Sequence, residues 1–108
     1  MAEVFRVDQA DQEWSTYGGA AAGGNIRFKA LTQGVETVTR VQYIEYAPNH
    51  SDPMHHHEEG EVFIVTEGEL WLNGQRSGPG SILCIPRDTD YAVRSGSTGA
   101  RFFRVVVP

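Results

Sequence analysis

The chain has 108 residues, of which 40% are hydrophobic and 21% are charged, and this composition is typical of one soluble globular domain with an apolar core. Fourteen acidic residues against nine basic ones leave a formal net charge of -5, which argues against a nucleic-acid partner because phosphate backbones are bound by clustered positive charge. No segment approaches the roughly 20 apolar residues that cross a bilayer, and no secretory signal is visible at the N-terminus. We therefore expect a cytoplasmic location.

The chain contains one cysteine, Cys84. A single cysteine excludes an intramolecular disulfide and agrees with a reducing compartment. Cys84 lies in the apolar run "SILCIP", residues 81–86, and we interpret it as a small buried hydrophobic side chain.

Residues 1–25 are predicted to form an N-terminal strand and a flexible connection, followed by the main body of the domain over residues 26–108. The connection is the small-residue segment "YGGAAAGGN", residues 17–25. It lacks the Lys and Ser/Thr of a phosphate-binding loop, so we interpret it as a mobile loop or lid.

Strand signals dominate the remainder of the chain, because short segments rich in β-branched and aromatic residues alternate with turns that contain glycine. The predicted strands are residues 35–46, 61–66, 69–72, 81–86, 91–97 and 100–107. No long stretch carries apolar residues at helical spacing. Short strands separated by frequent turns predict an all-β sandwich or barrel.

All four histidines fall within residues 50–57. On an extended strand, His55 and His57 point to one face and His56 to the other. Glu61 follows after Gly60, which permits a tight change of direction. Two imidazoles and a returning carboxylate form a set that holds a divalent metal and leaves coordination positions open for water, dioxygen or substrate.

The residues after Glu61 support the same hypothesis. Phe63 and Val65 share the strand face of Glu61, so they would line the site with apolar surface, as is usual in small-ligand pockets. Two alternatives stay open: a polar loop whose histidines simply face water, or a pH-sensitive patch, since imidazole titrates near neutrality.

In this region the chain resembles the cupins, a family of small jelly-roll β-barrels. The first cupin motif is His, one residue, His, three or four residues, Glu, six residues, Gly, and His55, His57, Glu61 and Gly68 satisfy every step. The resemblance implies an all-β cupin jelly-roll β-barrel, an antiparallel double-sheet barrel with little or no helix. It also implies a single cupin domain over residues 1–108.

The second cupin motif is only partly present. Gly80 and Pro86 have the expected spacing, but Asp88 replaces a usual Gly, Tyr91 replaces the usual His, and Ser95 replaces an Asn. The resemblance therefore implies three metal ligands rather than four.

The resemblance further implies a small metal-binding protein, with His55, His57 and Glu61 as ligands of one divalent transition metal, Fe, Mn, Zn, Ni or Co. Tyr91 is the candidate catalytic residue: it ligates the metal as a phenolate, acts as a hydrogen-bonding or acid–base group, or fills space. Small bacterial cupins include dioxygenases, isomerases, lyases and cyclases. We expect a dioxygenase-type enzyme, or a lyase or cyclase, acting on a small phenolic or diketone-like substrate.

The competing hypothesis is a non-catalytic ligand-binding or sensory cupin whose metal is structural or absent. Arg40 is a candidate for binding an acidic or phenolic group if it faces the barrel interior. His50 and His56 are interpreted as surface residues. Cupins of this size are often homodimers, and residues 4–7, "VFRV", are a candidate strand for that interface.

Overall fold

The protein is described by a computed structural model that covers residues 4–16, 25–35 and 38–108. Within these residues, one short 3₁₀ turn, Gln9–Asp11, precedes eight strands. The strands are β1 (Ser15–Thr16), β2 (Ile26–Ala30), β3 (Val41–Tyr46), β4 (Ser51–His55), β5 (Gly60–Leu72), β6 (Gln75–Ser77), β7 (Ile82–Ile85) and β8 (Tyr91–Val107). The fold is an all-β jelly-roll, as the motif predicted.

Strand β8 connects the parts of the sheet. All pairings are antiparallel, in the order β1-β2-β3-β8-β5-β6, with β4 also paired to β8 and β7 to β5. The first part of β8 pairs with β4 and its second part pairs with β3. One strand thus brings β3, β4 and β5 around a common interior.

Strands β5 and β8 are longer than predicted. Residues 61–66 and 69–72 belong to one strand, and so do residues 91–97 and 100–107. Gly68 and Gly99 have φ values of 68° and 80°, and the β5–β8 register shifts beside Gly68. A glycine in the left-handed region produces a bulge and a bend here, not a chain reversal.

The core lies on the inner faces of these strands. Phe63, Val65, Leu70 and Phe102 are at most 3% exposed, and each such side chain contributes about 1.5–3 kcal/mol through burial. Glu61, Phe63 and Val65 are all buried on one strand face, as the alternation predicted.

The prediction for Cys84 is wrong. Cys84 is exposed, as is Ile82, whereas Ile85 is buried. Strand β7 pairs with β5, and its alternate side chains point outward. The apolar run predicted a buried strand, but the side chains of Ile82 and Cys84 are exposed.

The N-terminal predictions have mixed outcomes. Residues 4–7 are exposed and do not form a strand in the single chain, so a contact with a second copy stays a prediction. Residues 17–24 of the predicted loop lie outside the described residues. No helix in the described part of the chain is long and apolar enough to span a membrane.

Candidate metal and ligand site

A cavity of about 490 Å³ opens between β3, β4, β5 and β8. Apolar side chains form much of its wall, and polar side chains converge on it from four strands and the segments beside them. It is lined by Ile26, Phe28, Arg40, Gln42, Ile44, Tyr46, Asp52, Pro53, His55, His57, Glu61, Phe63, Tyr91, Phe102 and Arg104. The predicted site residues His55, His57, Glu61 and Tyr91 therefore share one cavity.

His55 is oriented by its own strand. Its Nδ1 lies 2.7 Å from the carbonyl oxygen of Pro53. A carbonyl can only accept, so in the neutral imidazole Nδ1 carries the proton and Nε2 carries the lone pair. Metal-binding histidines commonly have their second nitrogen fixed in this way.

His57 lies beside both other members of the predicted triad. Its ring centroid is 5.1 Å from that of His55, and its Nε2 is 3.7 Å from Oε1 of Glu61. Burial lowers the pKa of His57 from its usual value, which favours the neutral imidazole that can donate electrons to a metal. The backbone N–H of Asp88 donates to the His57 carbonyl at 2.8 Å.

Asp88 explains one departure from the cupin pattern. Its φ is 55°, so it occupies the left-handed conformation for which glycine is the usual residue, and Asp tolerates this conformation better than most residues do. The turn that supports His57 thus keeps its backbone shape without the glycine.

A valine at this position should be costly. We expect Asp88→Val to lower the free energy of unfolding by about 1–2 kcal/mol, because a β-branched residue is strained at positive φ, while Asp88→Gly is tolerated. Urea denaturation of both variants measures the difference. Equal stabilities would contradict the assigned backbone strain.

Glu61 is fully engaged by its neighbours. Its side chain is 1% exposed, the hydroxyl of Tyr91 donates to Oε1 at 2.7 Å, and Nε of Arg104 donates to Oε2. Nη1 of Arg104 donates to Oε1 of Gln42 at 2.9 Å. The buried carboxylate is thus compensated by a largely buried guanidinium, which is itself held by Gln42 of a second strand.

Tyr91 occupies the place of the usual histidine. It is the register partner of His55 across β4 and β8, and the two ring centroids are 4.4 Å apart. Burial and the hydrogen bond to Glu61 raise the pKa of Tyr91 well above its usual value. Tyr91 is therefore a neutral phenol that donates to Glu61, which corresponds to the hydrogen-bonding alternative among its predicted roles.

The donor set has the chemistry that a divalent transition metal requires, two imidazoles and one carboxylate. The fixed Nε2 of His55 and the His57–Glu61 proximity fit such an ion. No group of three His, Cys, Asp or Glu side chains in residues 4–16, 25–35 and 38–108 is arranged as a metal site, and both oxygens of Glu61 are already engaged by Tyr91 and Arg104. A metal on this triad would have to share Glu61 with them.

Three further candidates are placed by the structure. Arg40 lines the cavity but is 57% exposed, with Nη2 3.6 Å from Oε1 of Glu59. His56 lies outside the cavity, as predicted, and contacts Asp90. The prediction for His50 is wrong: its side chain is 8% exposed and packs against the ring of Tyr46.

Arg104 and Asp52 were missed by sequence reasoning. Residues 100, 102, 104 and 106 share one strand face, and the others are the buried Ala100, Phe102 and Val106. An arginine at a position where alternation predicts an inward-facing apolar side chain was a signal that could have identified Arg104. Asp52 carried no such signal, because the strand around it is short and mostly exposed.

The chain is similar to a known protein family and to several solved structures. A family model described as the ChrR Cupin-like domain matches residues 2–103. The structure of KdgF from Halomonas sp. has a TM-score of 0.80 at 14% identity, over 98% of this chain and 94% of that chain. The polyketide cyclase RemF from Streptomyces resistomycificus has a TM-score of 0.73 at 26% identity, over 98% and 80%.

A third similar structure is the complex of Rhodobacter sphaeroides SigE with the anti-sigma ChrR. One chain of that complex has a TM-score of 0.71 at 20% identity, over 89% of this chain and 50% of that chain. This chain thus spans about half the length of that relative. A comparison with curated proteins found no match.

Proposed function

The chain belongs to the family of ChrR cupin-like domains, and on that premise we propose that its cavity binds one divalent transition metal through His55, His57 and Glu61 and acts on a small organic molecule. The observation that carries this proposal is that all three side chains line the same cavity. The fixed tautomer of His55 and the 3.7 Å separation of His57 Nε2 from Glu61 Oε1 add to it.

The size and lining of the cavity favour a small ligand. A volume of about 490 Å³ lies in the range of small-molecule sites, which combine apolar walls with a few polar groups. Phe28, Phe63 and Phe102 line the wall and suit a flat apolar ligand body. Arg104 supplies guanidinium N–H groups beyond the two that Glu61 and Gln42 accept, so it can bind a ligand oxygen.

The roles of the residues follow from their contacts. A metal bound here would supply Lewis acidity toward a ligand oxygen. Arg104 and Tyr91 hold the Glu61 carboxylate in place, and the apolar wall limits water. We therefore propose polarisation of a ligand oxygen, as in a cyclase, lyase or isomerase; the 26% identity to RemF supports this class. Dioxygenase activity stays a prediction, and oxygen uptake during turnover would favour it.

Loss of one imidazole should remove the metal. We expect untagged wild-type protein to contain close to one transition metal per chain, and His55→Ala to lose most of it because only two protein ligands remain. Inductively coupled plasma mass spectrometry measures the content. His56→Ala is the matched control, since that imidazole lies outside the cavity, and it should retain the metal. Equal metal contents in the two variants, or none in the wild type, would overturn the metal proposal.

A second candidate function is ligand or metal sensing without catalysis. It is favoured by the likeness to a chain of the SigE–ChrR complex, and the engagement of both Glu61 oxygens favours the form that binds a ligand without a metal. A sensing domain would bind the metal or ligand stoichiometrically and change its stability, with no turnover of any substrate that binds. Calorimetric binding combined with product analysis separates the two functions.

A further inference from the structure

A second polar cluster, two members of which line the same cavity, plays no part in the metal triad. It consists of Asp52, Tyr46 and His50. The hydroxyl of Tyr46 donates to Oδ2 of Asp52 at 2.8 Å, and Nε2 of His50 donates to Oδ1 at 2.8 Å. Tyr46 is 7% exposed and the His50 side chain 8%. Both oxygens of the Asp52 carboxylate thus accept hydrogen bonds from buried donors.

The cluster and Arg104 contact different ends of the part of β3 that lines the cavity. Gln42, Ile44 and Tyr46 alternate along β3 and all line the cavity. Gln42 accepts from Arg104, whereas Tyr46 donates to Asp52. Four residues of strand separate the Cα atoms of Gln42 and Tyr46 by about 13 Å. Between these ends the wall is apolar, formed by Ile44 and its register partner Phe102.

The two ends offer complementary hydrogen-bonding chemistry. A guanidinium only donates, so the Arg104 end binds an oxyanion or carbonyl. A carboxylate only accepts and has about four lone-pair sites, of which Tyr46 and His50 use two. Asp52 lines the cavity with a side chain that is 24% exposed, so it retains capacity to accept from a ligand.

We propose that Asp52 is a second ligand-binding group, which accepts a hydrogen bond from a ligand hydroxyl. The ligand class is then a hydroxylated aromatic acid, with its carboxylate toward Arg104, its ring against Ile44 and Phe102, and its hydroxyl on Asp52. His50 and Tyr46 are positioning residues that hold the carboxylate. This assignment rests on the proposed small-molecule function of the cavity.

The alternative is that the cluster only fixes β4 against the barrel. A structural role would change the stability of an Asp52 variant but not its choice between ligands. The measurement that separates the two roles is therefore the ratio of the affinities for a ligand with and without the hydroxyl. The exposed pair His56–Asp90, whose Nδ1 and Oδ1 are 3.1 Å apart, provides a matched His–Asp control outside the cavity.

Isothermal titration calorimetry of the untagged protein with benzoate, 3-hydroxybenzoate and 4-hydroxybenzoate tests the assignment. We expect at least one hydroxybenzoate to bind about tenfold more tightly than benzoate, as for a hydrogen bond to a charged group. Asp52→Asn should reduce that preference to below about threefold while benzoate affinity is kept. Asp90→Asn should keep the preference.

A second measurement needs no variant, in case Asp52→Asn fails to fold. The methoxy analogue of the preferred hydroxybenzoate cannot donate, so it should bind no better than benzoate. Equal affinity of the methoxy and hydroxy acids, or an unchanged preference in Asp52→Asn, would overturn the role of Asp52 alone. Absence of binding by all of the acids would overturn the ligand class and count against the proposed small-molecule function too.

Discussion

Replacing Arg104 by methionine is expected to destabilise the metal-free protein by about 3–5 kcal/mol, because removing one partner of a buried ion pair leaves the other charge uncompensated. The Arg104 and Glu61 side chains are 13% and 1% exposed, so water screens little of the lost interaction. Tyr91 would still donate to Oε1, but a neutral hydroxyl does not balance the carboxylate charge. The melting temperature should fall by roughly 12 °C or more.

The same variant should respond more strongly to metal. A guanidinium beside Glu61 repels an incoming cation, and its removal leaves an anionic site that a divalent ion can neutralise. We expect Arg104→Met to bind Co²⁺ or Zn²⁺ at least about tenfold more tightly than the wild type. Added metal should then raise its melting temperature by a larger amount, since tighter ligand binding to the native state gives greater stabilisation.

Arg101→Met is the matched control for both effects. Arg101 lies on the same strand and donates to Glu45 at 2.9 Å, but its side chain is 36% exposed. Ion pairs that solvent reaches to this extent are worth about 1 kcal/mol or less. Differential scanning calorimetry of both variants, with and without metal, measures the contrast. Equal destabilisation would show that the Arg104–Glu61 pair is not a buried counter-ion pair. An unchanged or weaker metal affinity in Arg104→Met would count against metal binding at Glu61.

The residues that sequence reasoning assigned to the site are local to one motif. His55, His57 and Glu61 are related by strand alternation and by one turn, so their spacing alone predicted that they share a cavity. The partners of Glu61 come from elsewhere in the chain. Arg104 reaches it through the register of β8 with β3 and β5, where Arg104 pairs with Gln42 and Phe63. Long-range register of this kind is set by the packed barrel and has no local signature.

The strands show a similar division between local and long-range information. Alternation correctly predicted which residues of β5 face inward, because that pattern depends only on neighbours along the strand. It did not predict that β5 and β8 continue through their glycines. A glycine at positive φ serves a reversal or a bend equally well, and the choice here depends on the pairing of Gly68 with Ala100 across the two strands.

That pairing makes Gly68→Ala the substitution with the largest expected backbone effect. A Cβ at Gly68 would lie 2.1 Å from the carbonyl oxygen of Gly99 and 2.9 Å from its carbonyl carbon, so backbone atoms would have to move. The φ of 68° adds about 1–2 kcal/mol of strain for a residue with a side chain. Overpacking adds a cost of about 1–3 kcal/mol. We therefore expect Gly68→Ala to lower the free energy of unfolding by about 2–5 kcal/mol, and urea denaturation measures this change.

Two other glycines separate the contributions to that loss. Gly80 has a φ of 89° but lies in open space, with no atom within 4 Å of an added Cβ, so Gly80→Ala should cost only the strain of about 1–2 kcal/mol. Gly78 has neither a positive φ nor a close neighbour, so Gly78→Ala should be neutral or slightly stabilising. If Gly68→Ala lowers the free energy of unfolding no more than Gly80→Ala does, the close approach of β5 to β8 does not exclude a side chain at residue 68. The bend would then depend only on the positive φ. The glycine of the cupin motif would be required because other residues are strained at that φ, and not because a side chain would collide with β8.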